Sequence, residues 1–190
     1  MLKLLVRCGG EEIGGNEAGE ILFEAGVAFG LRKEFGAQIV DLGEEGLYHG
    51  DTCFLSHLEL RIEGVRPMYL NSTVKDDNGL FIIELMNPDL HPAGKNRILK
   101  GELHVFRAKL LFENTCHEHV RLVNFGLEPI VADLSVEFAA DYKDIFEVRG
   151  TARKRRGEHL PPEVREGDVV LAYRGLDGLV RQTQVSFEPK

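Results

Sequence analysis

Apolar and polar residues begin to alternate from Phe54 onward. Leu58, Leu60 and Ile62 fall on one side of the chain and Glu59, Arg61 and Glu63 on the other, as a half-buried strand requires. The clearest repeat is residues 130–138, where Ile130, Ala132, Leu134, Val136 and Phe138 share one face and Asp133, Ser135 and Glu137 the other. The same pattern predicts strands at 68–74, 80–86, 98–112, 120–125, 145–149, 169–174 and 179–187. Turn sequences separate them: Glu63-Gly64, Asp76-Asp77-Asn78-Gly79, Asn87-Pro88, Phe125-Gly126, Pro161-Pro162, Glu166-Gly167-Asp168 and Asp177-Gly178. Short strands joined by tight turns imply antiparallel pairing. About ten strands in one chain must curl or split into two packed sheets, so the pattern predicts an all-β sandwich or flattened barrel.

The first sixty residues read differently. They are acidic, and Gly9, Gly10, Gly14, Gly15, Gly19, Gly26 and Gly30 interrupt them, which predicts a loop-rich start. Only residues 27–35 offer a short helix, and Gly30 inside it costs about 1 kcal/mol relative to alanine. No internal repeat or low-complexity linker divides the chain, so residues 1–190 read as a single domain. Within it, 1–45 is the Gly-rich acidic start and 46–190 the β domain.

Composition narrows the function classes. A formal charge of −8 opposes general binding to nucleic acid or anionic membranes. Cys8, Cys53 and Cys116 are an odd number with no Cys-x-x-Cys pair, which excludes a disulfide framework and fits a reducing cytoplasm. The apolar start, residues 1–7, is too short for a secretory signal, and no apolar run approaches the ~20 residues of a membrane span. The glycosylation sequon Asn71-Ser72-Thr73 therefore reads as unused.

Three groups invite a chemical reading. Cys116-His117-Glu118-His119 is the densest set of metal-ligand types, but in a strand His117 and His119 share a face while Cys116 and Glu118 point oppositely. A cupin-like barrel would place Glu three or four residues after the second His, where Val123 and Asn124 stand. The set reads better as a polar hairpin connection, and no metal or cofactor is assigned. The basic run Arg153-Lys154-Arg155-Arg156, with Arg149 nearby, lacks interleaved aromatics and sits between Glu147 and Glu158, so it reads as a solvated loop or protein interface. Asp76, Asp77 and Asp89 lie in turns, where Asp caps its own backbone. No Gly-x-Ser-x-Gly elbow, P-loop or dinucleotide fingerprint occurs.

Several blocks, taken in order, resemble the N-terminal domain of bacterial and archaeal glycogen debranching enzymes of the amylo-α-1,6-glucosidase type. They are Gly46-Leu47-Tyr48-His49-Gly50-Asp51-Thr52-Cys53-Phe54-Leu55-Ser56, Leu58-Glu59-Leu60 and Asn87-Pro88-Asp89-Leu90, and then the most specific, from Phe138-Ala139-Ala140-Asp141-Tyr142-Lys143-Asp144 through Ile145-Phe146-Glu147-Val148-Arg149-Gly150 to Arg153 and Arg156-Gly157. Leu171-Ala172-Tyr173-Arg174-Gly175-Leu176-Asp177-Gly178 closes the series. Members of that family usually carry arginine where Cys53 stands and often a bulkier residue at Gly50. The resemblance implies an antiparallel two-sheet, supersandwich-like β-sandwich. It also implies a non-catalytic role in α-glucan metabolism, docked to or bordering an (α/α)6 barrel that holds the catalytic acids of a glycoside hydrolase.

In that reading Arg149, Arg153 and Arg156 hold a loop or the domain interface, and Asp51 and Thr52 fix the turn into the strand near Phe54 through side-chain bonds. A second reading is a stand-alone α-glucan-binding module with Tyr48, His49 and Asp51 as sugar contacts. It suffers from the absence of Trp and the presence of only four Tyr. A third is a small metal-dependent β-barrel enzyme built on His117 and His119. A sandwich parted from its barrel exposes the docking surface, which implies a homodimer.

Overall fold

The structure, a computed structural model, describes residues 2–10, 46–75, 80–112 and 115–188. Twelve strands and one short helix follow in chain order: β1 Leu2–Gly10, β2 Leu47–His49, β3 Thr52–Leu55, β4 His57–Ile62, β5 Met68–Val74, β6 Leu80–Met86, β7 Leu103–Phe112, β8 Thr115–Asn124, β9 Leu134–Ala139, α1 Ile145–Val148, β10 Glu158–Arg165, β11 Asp168–Arg174 and β12 Val180–Glu188. An eight-stranded antiparallel sheet, in the order β10-β11-β12-β1-β8-β7-β6-β5, forms one layer.

The second layer is built from the β2-β3 hairpin and the β4-β9 pair. The two pairs are continuous: after a bend at Ser56, β3 runs on into β4. Beyond β9 the chain stays beside β3, where the Cys53 amide donates to the Lys143 carbonyl at 2.8 Å and the Tyr142 amide to the Cys53 carbonyl at 3.1 Å. No closed barrel forms, because the large sheet has two free edges among the described residues.

The core lies between the layers in two clusters. One gathers Leu4, Val6, Cys8, Leu47, Phe54, Leu55, Cys116, Tyr142, Tyr173 and Val185. The other gathers Leu60, Ile62, Phe81, Ile83, Leu85, Leu90, Ile98, Leu103, Val105 and Val120, with Ile130, Ala132, Leu134 and Val136 packed against it. The alternation read at 58–62 and 130–138 thus points its apolar side inward, as period two demands.

Four expectations are corrected. The start is not loop throughout: Leu2–Gly10 is a strand paired to β8 and β12, near the middle of the sheet, with Leu4, Val6 and Cys8 buried. Residues 145–149 are not a strand but α1 and its C-cap. Asp144 accepts from the Phe146 and Glu147 amides while the Glu147 carboxylate accepts from the Asp144 amide, a capping box that outweighs the apolar run Ile145-Phe146. Pro161-Pro162 lies within β10 and not between strands, at an edge and beside a register shift between Leu160 and Glu163, where a missing N–H is tolerated. Cys116 to His119 lies inside β8 and not in a connection between strands. The helix expected at 27–35, the remainder of the Gly-rich start and the turn at 76–79 lie outside the described residues.

Candidate functional site

The segment from Ala139 to Gly157 is built as a folded unit. Tyr142 sits in the left-handed region at φ 51°, where a bulky residue is strained, and four contacts hold it there. Its amide donates to Cys53, its hydroxyl lies 2.8 Å from the Leu171 carbonyl and 3.0 Å from Thr183 Oγ1, and its ring stacks on Tyr173 at 5.4 Å and 10°. Thr183 in turn donates to the Phe54 carbonyl at 2.5 Å, so one hydroxyl chain ties the two layers together. Burial pushes the Tyr142 phenol up to about 12.

The arginines expected at an interface or loop are placed around this unit. Arg153 Nε donates to Asp144 at 3.1 Å, so Asp144 is shared between the α1 cap and a guanidinium. Burial pushes the Asp144 carboxyl up, but the Glu147 amide, Arg153 and the Phe146 amide overcome that and hold it below the ordinary range. Arg156 pairs with Glu147 at 3.1 Å, donates to the Asp141 carbonyl at 2.7 Å and lies over the Tyr173 ring at 5.7 Å. Arg149 caps the C-terminal end of α1 and is exposed. At Gly157 a Cβ would stand 1.9 Å from the Arg174 carbonyl, and its amide donates to the Tyr173 hydroxyl at 2.6 Å.

The β2-β3 hairpin carries the residues read as sugar contacts. Gly50 at φ 51° and Asp51 at φ 60° make a two-residue turn of the mirror-image type that hairpins favour. Backbone geometry therefore sets this turn, and the Asp51 carbonyl accepts from the Ile145 amide at 3.0 Å. Tyr48 is buried at 6 % exposure, His49 is half-buried with its ring 6.0 Å from Phe54, and Asp51 is exposed. Cys53 lies beneath, its thiol pushed up to about 12 by burial and then by Asp141.

At one end of the sandwich a cleft of about 770 Å³ opens between the segments 95–102 and 127–131. Asn87 anchors the 95–102 segment from beneath: fully buried, it donates to the Leu99 carbonyl at 2.8 Å and accepts from the Leu103 amide at 2.7 Å. Asp89 pairs with Arg97 at 3.1 Å, and Leu90 bonds to Ile98, so the block Asn87-Pro88-Asp89-Leu90 is the staple of this loop. Ile98 is core, whereas Leu99, Leu127 and Val131 reach solvent at 48 %, 101 % and 71 % exposure. Lys95 bridges Glu63 and Asp133, both at 2.9 Å, along the rim.

Sequence reasoning missed a buried charge cluster on the inner face of the large sheet. Arg107, Lys109 and Glu118 are almost fully buried where β7 pairs β8, between the two apolar clusters. Glu118 contacts Arg107 Nε and lies 3.7 Å from Lys109 Nζ. Burial drives its carboxyl up, and the two cations reverse this and hold it below the usual range. Burial pulls the Lys109 amine down to about 8 against the pull of Glu118. His117 and His119 face the opposite side of the sheet, as alternation requires, and no group of three metal-ligand residues gathers among the described residues. The sequence signal was available in Arg107 and Lys109, two residues apart in an apolar alternation.

A family model described as the N-terminal domain of (some) glycogen debranching enzymes matches residues 26–190. The match takes in every described element from β2 to β12 and leaves out β1. No curated protein and no solved structure matches the chain. Among the described residues no helix is long and apolar enough to cross a membrane. An all-β domain, with the blocks Asn87 to Leu90 and Ala139 to Gly157 each holding a loop in place, thus belongs to the family of N-terminal domains of glycogen debranching enzymes.

Proposed function

We propose that this chain is a non-catalytic β domain that packs against the (α/α)6 catalytic barrel of a debranching-type α-1,6-glucosidase and borders its cleft. The observation that supports this most is the apolar rim of the 770 Å³ cleft. Leu127 gives almost nothing to the isolated fold where it stands and would contribute roughly 1.5–3 kcal/mol if buried against a partner, and Val131 and Leu99, at 71 % and 48 % exposure, would add part of that range each. The family's description as one domain of debranching enzymes makes the catalytic part of such an enzyme the natural occupant.

In this reading Arg153 and Arg156 shape the 139–157 unit, and the exposed Arg149 lies on the surface that meets the partner. The α-glucan-binding module is the second reading. Sugar stacking needs a solvent-facing ring, and of the four tyrosines Tyr48, Tyr142 and Tyr173 are at most 7 % exposed while Tyr69 reaches 38 %. The domain reading expects no glucose release from branched dextrin by this chain alone, and loss of co-elution with the barrel domain on Leu127→Asp with Val131→Asp. Hydrolysis by the chain alone, or co-elution indifferent to these changes, would contradict it.

A further inference from the structure

We propose that β5 is a pairing edge through which two copies of this chain join antiparallel, extending the large sheet across a two-fold axis beside Thr73. This rests on the sheet edge and not on the debranching-domain reading.

The two edges of the eight-stranded sheet are built in opposite ways. β10 is closed to further pairing: Pro161 and Pro162 cannot donate, the register shifts beside them, and Glu158, Glu163 and Arg165 charge the strand. β5 has none of these charges or prolines along Met68–Val74, and Tyr69, Leu70, Asn71 and Thr73 are exposed. Long uncharged edges of this kind are the ones that recruit another strand.

Which main-chain groups are on offer follows from the register. The Lys75 amide donates to the Leu80 carbonyl at 3.0 Å, and Thr73 pairs with Ile82 and Val74 with Phe81. Antiparallel ladders alternate, so residues 75, 73 and 71 turn their N–H and C=O toward β6, and Ser72 and Val74 turn theirs away from it. The register shift between Tyr69 and Asn71 places Leu70 as the extra residue, which confines new pairing to the stretch after it.

A second copy fits this edge because the strand is compatible with itself. With Thr73 opposite Thr73 of the other copy, Ser72 faces Val74 and Asn71 faces Lys75, so no like charges meet. Thr–Thr is also a favourable cross-strand pair.

Sedimentation of the full chain at about 100 μM tests this, with Thr73→Lys, Thr73→Glu and their equimolar mixture run beside it. The expected result is a mass of twice 21.3 kDa for the unmodified chain. Each variant alone should self-associate about tenfold more weakly or worse, since like charges then meet across the axis, and the mixture should return to the dimer. Thr73 is exposed, so both variants should keep the unmodified circular dichroism spectrum, and Ser72→Pro, which removes an outward N–H together with the Ser72 hydroxyl's 3.2 Å contact to Tyr69, should also give monomer. A monomeric unmodified chain, a dimer that survives Thr73→Lys, or a mixture that stays monomeric would overturn the proposal.

Discussion

Neutralising Glu118 at constant shape, Glu118→Gln, removes the only anion of the buried Arg107–Glu118–Lys109 cluster. At the 3.7 Å that separates Glu118 from Lys109, Coulomb's law with an effective dielectric constant of about 20 gives about 4 kcal/mol. Breaking a buried ion pair from one side costs roughly 3–5 kcal/mol, because the remaining charge stays desolvated. Glutamine still offers Arg107 a carbonyl oxygen, so the lower end, about 3 kcal/mol, is expected. In a chain of this size each kcal/mol moves the midpoint by roughly 2–4 °C, giving a drop of about 6–12 °C in thermal unfolding followed by circular dichroism. The combined change Arg107→Leu, Lys109→Met and Glu118→Leu should be close to neutral, since it removes charges and desolvation together. A loss below about 1 kcal/mol in Glu118→Gln would refute the reasoning, because the carboxylate would then not be the counter-charge of two buried cations.

Alkali should destabilise the fold. Burial pushes the thiols of Cys8, Cys53 and Cys116 from 9.0 up to about 12, so the unfolded chain releases these protons first and each thiol's contribution is lost as pH rises above 9. Lys109, pulled from 10.5 down to about 8, acts in the opposite sense between those values and offsets one thiol. Tyr142, raised from 10.0 to about 12, adds about half a proton at pH 10 in the same sense as the thiols, so a net of about two and a half protons predicts a fall of about 3 kcal/mol per pH unit near pH 10, measurable by urea unfolding at pH 8.5 and 10, and a flat profile would contradict the burial. Gly157→Ala should cost about 2 kcal/mol or more, because its Cβ would meet the Arg174 carbonyl at 1.9 Å and that atom is backbone. Tyr142→Phe should cost about 1–2 kcal/mol in the same assay, since it strips a buried hydroxyl from Leu171 and Thr183 while leaving the ring stack with Tyr173 intact.

The parts of the fold legible in the sequence are those where one face of a strand is buried and the other wet. Met68–Val74 and Leu80–Met86 fall where alternation puts them, and the inward set of 130–138 packs as read, although pairing begins only at Leu134. β1 was hidden because it is flanked by strands on both sides: outward-facing Leu5 joins Leu4 and Val6 in an apolar run, and Gly9-Gly10 reads as a break. α1 was hidden by its length, since four residues show no period and only the Asp144–Glu147 spacing betrays the cap.

The chemistry was legible in the same uneven way. Alternation sent His117 and His119 outward and Cys116 and Glu118 inward, but their inward partners Arg107 and Lys109 sit on another strand, and only the β7-β8 register brings them together. The motif from Ala139 to Gly157 was visible as a block. Its physical content, a strained Tyr142 locked by a hydroxyl chain and an Asp144 shared between a helix cap and Arg153, depends on contacts with β3, β11 and β12 that no local pattern encodes.

The central claim is that this β domain serves an α-glucosidase barrel and performs no hydrolysis itself. Native purification of the protein from its source cells, with intact mass and release of glucose from α-1,6-branched dextrin measured on the same fractions, addresses it most directly. The account predicts that residues of this chain migrate with an (α/α)6 domain, joined covalently or held in a complex, and that the activity follows that domain. Dextrin hydrolysis by a species of 21.3 kDa containing this chain alone would contradict it.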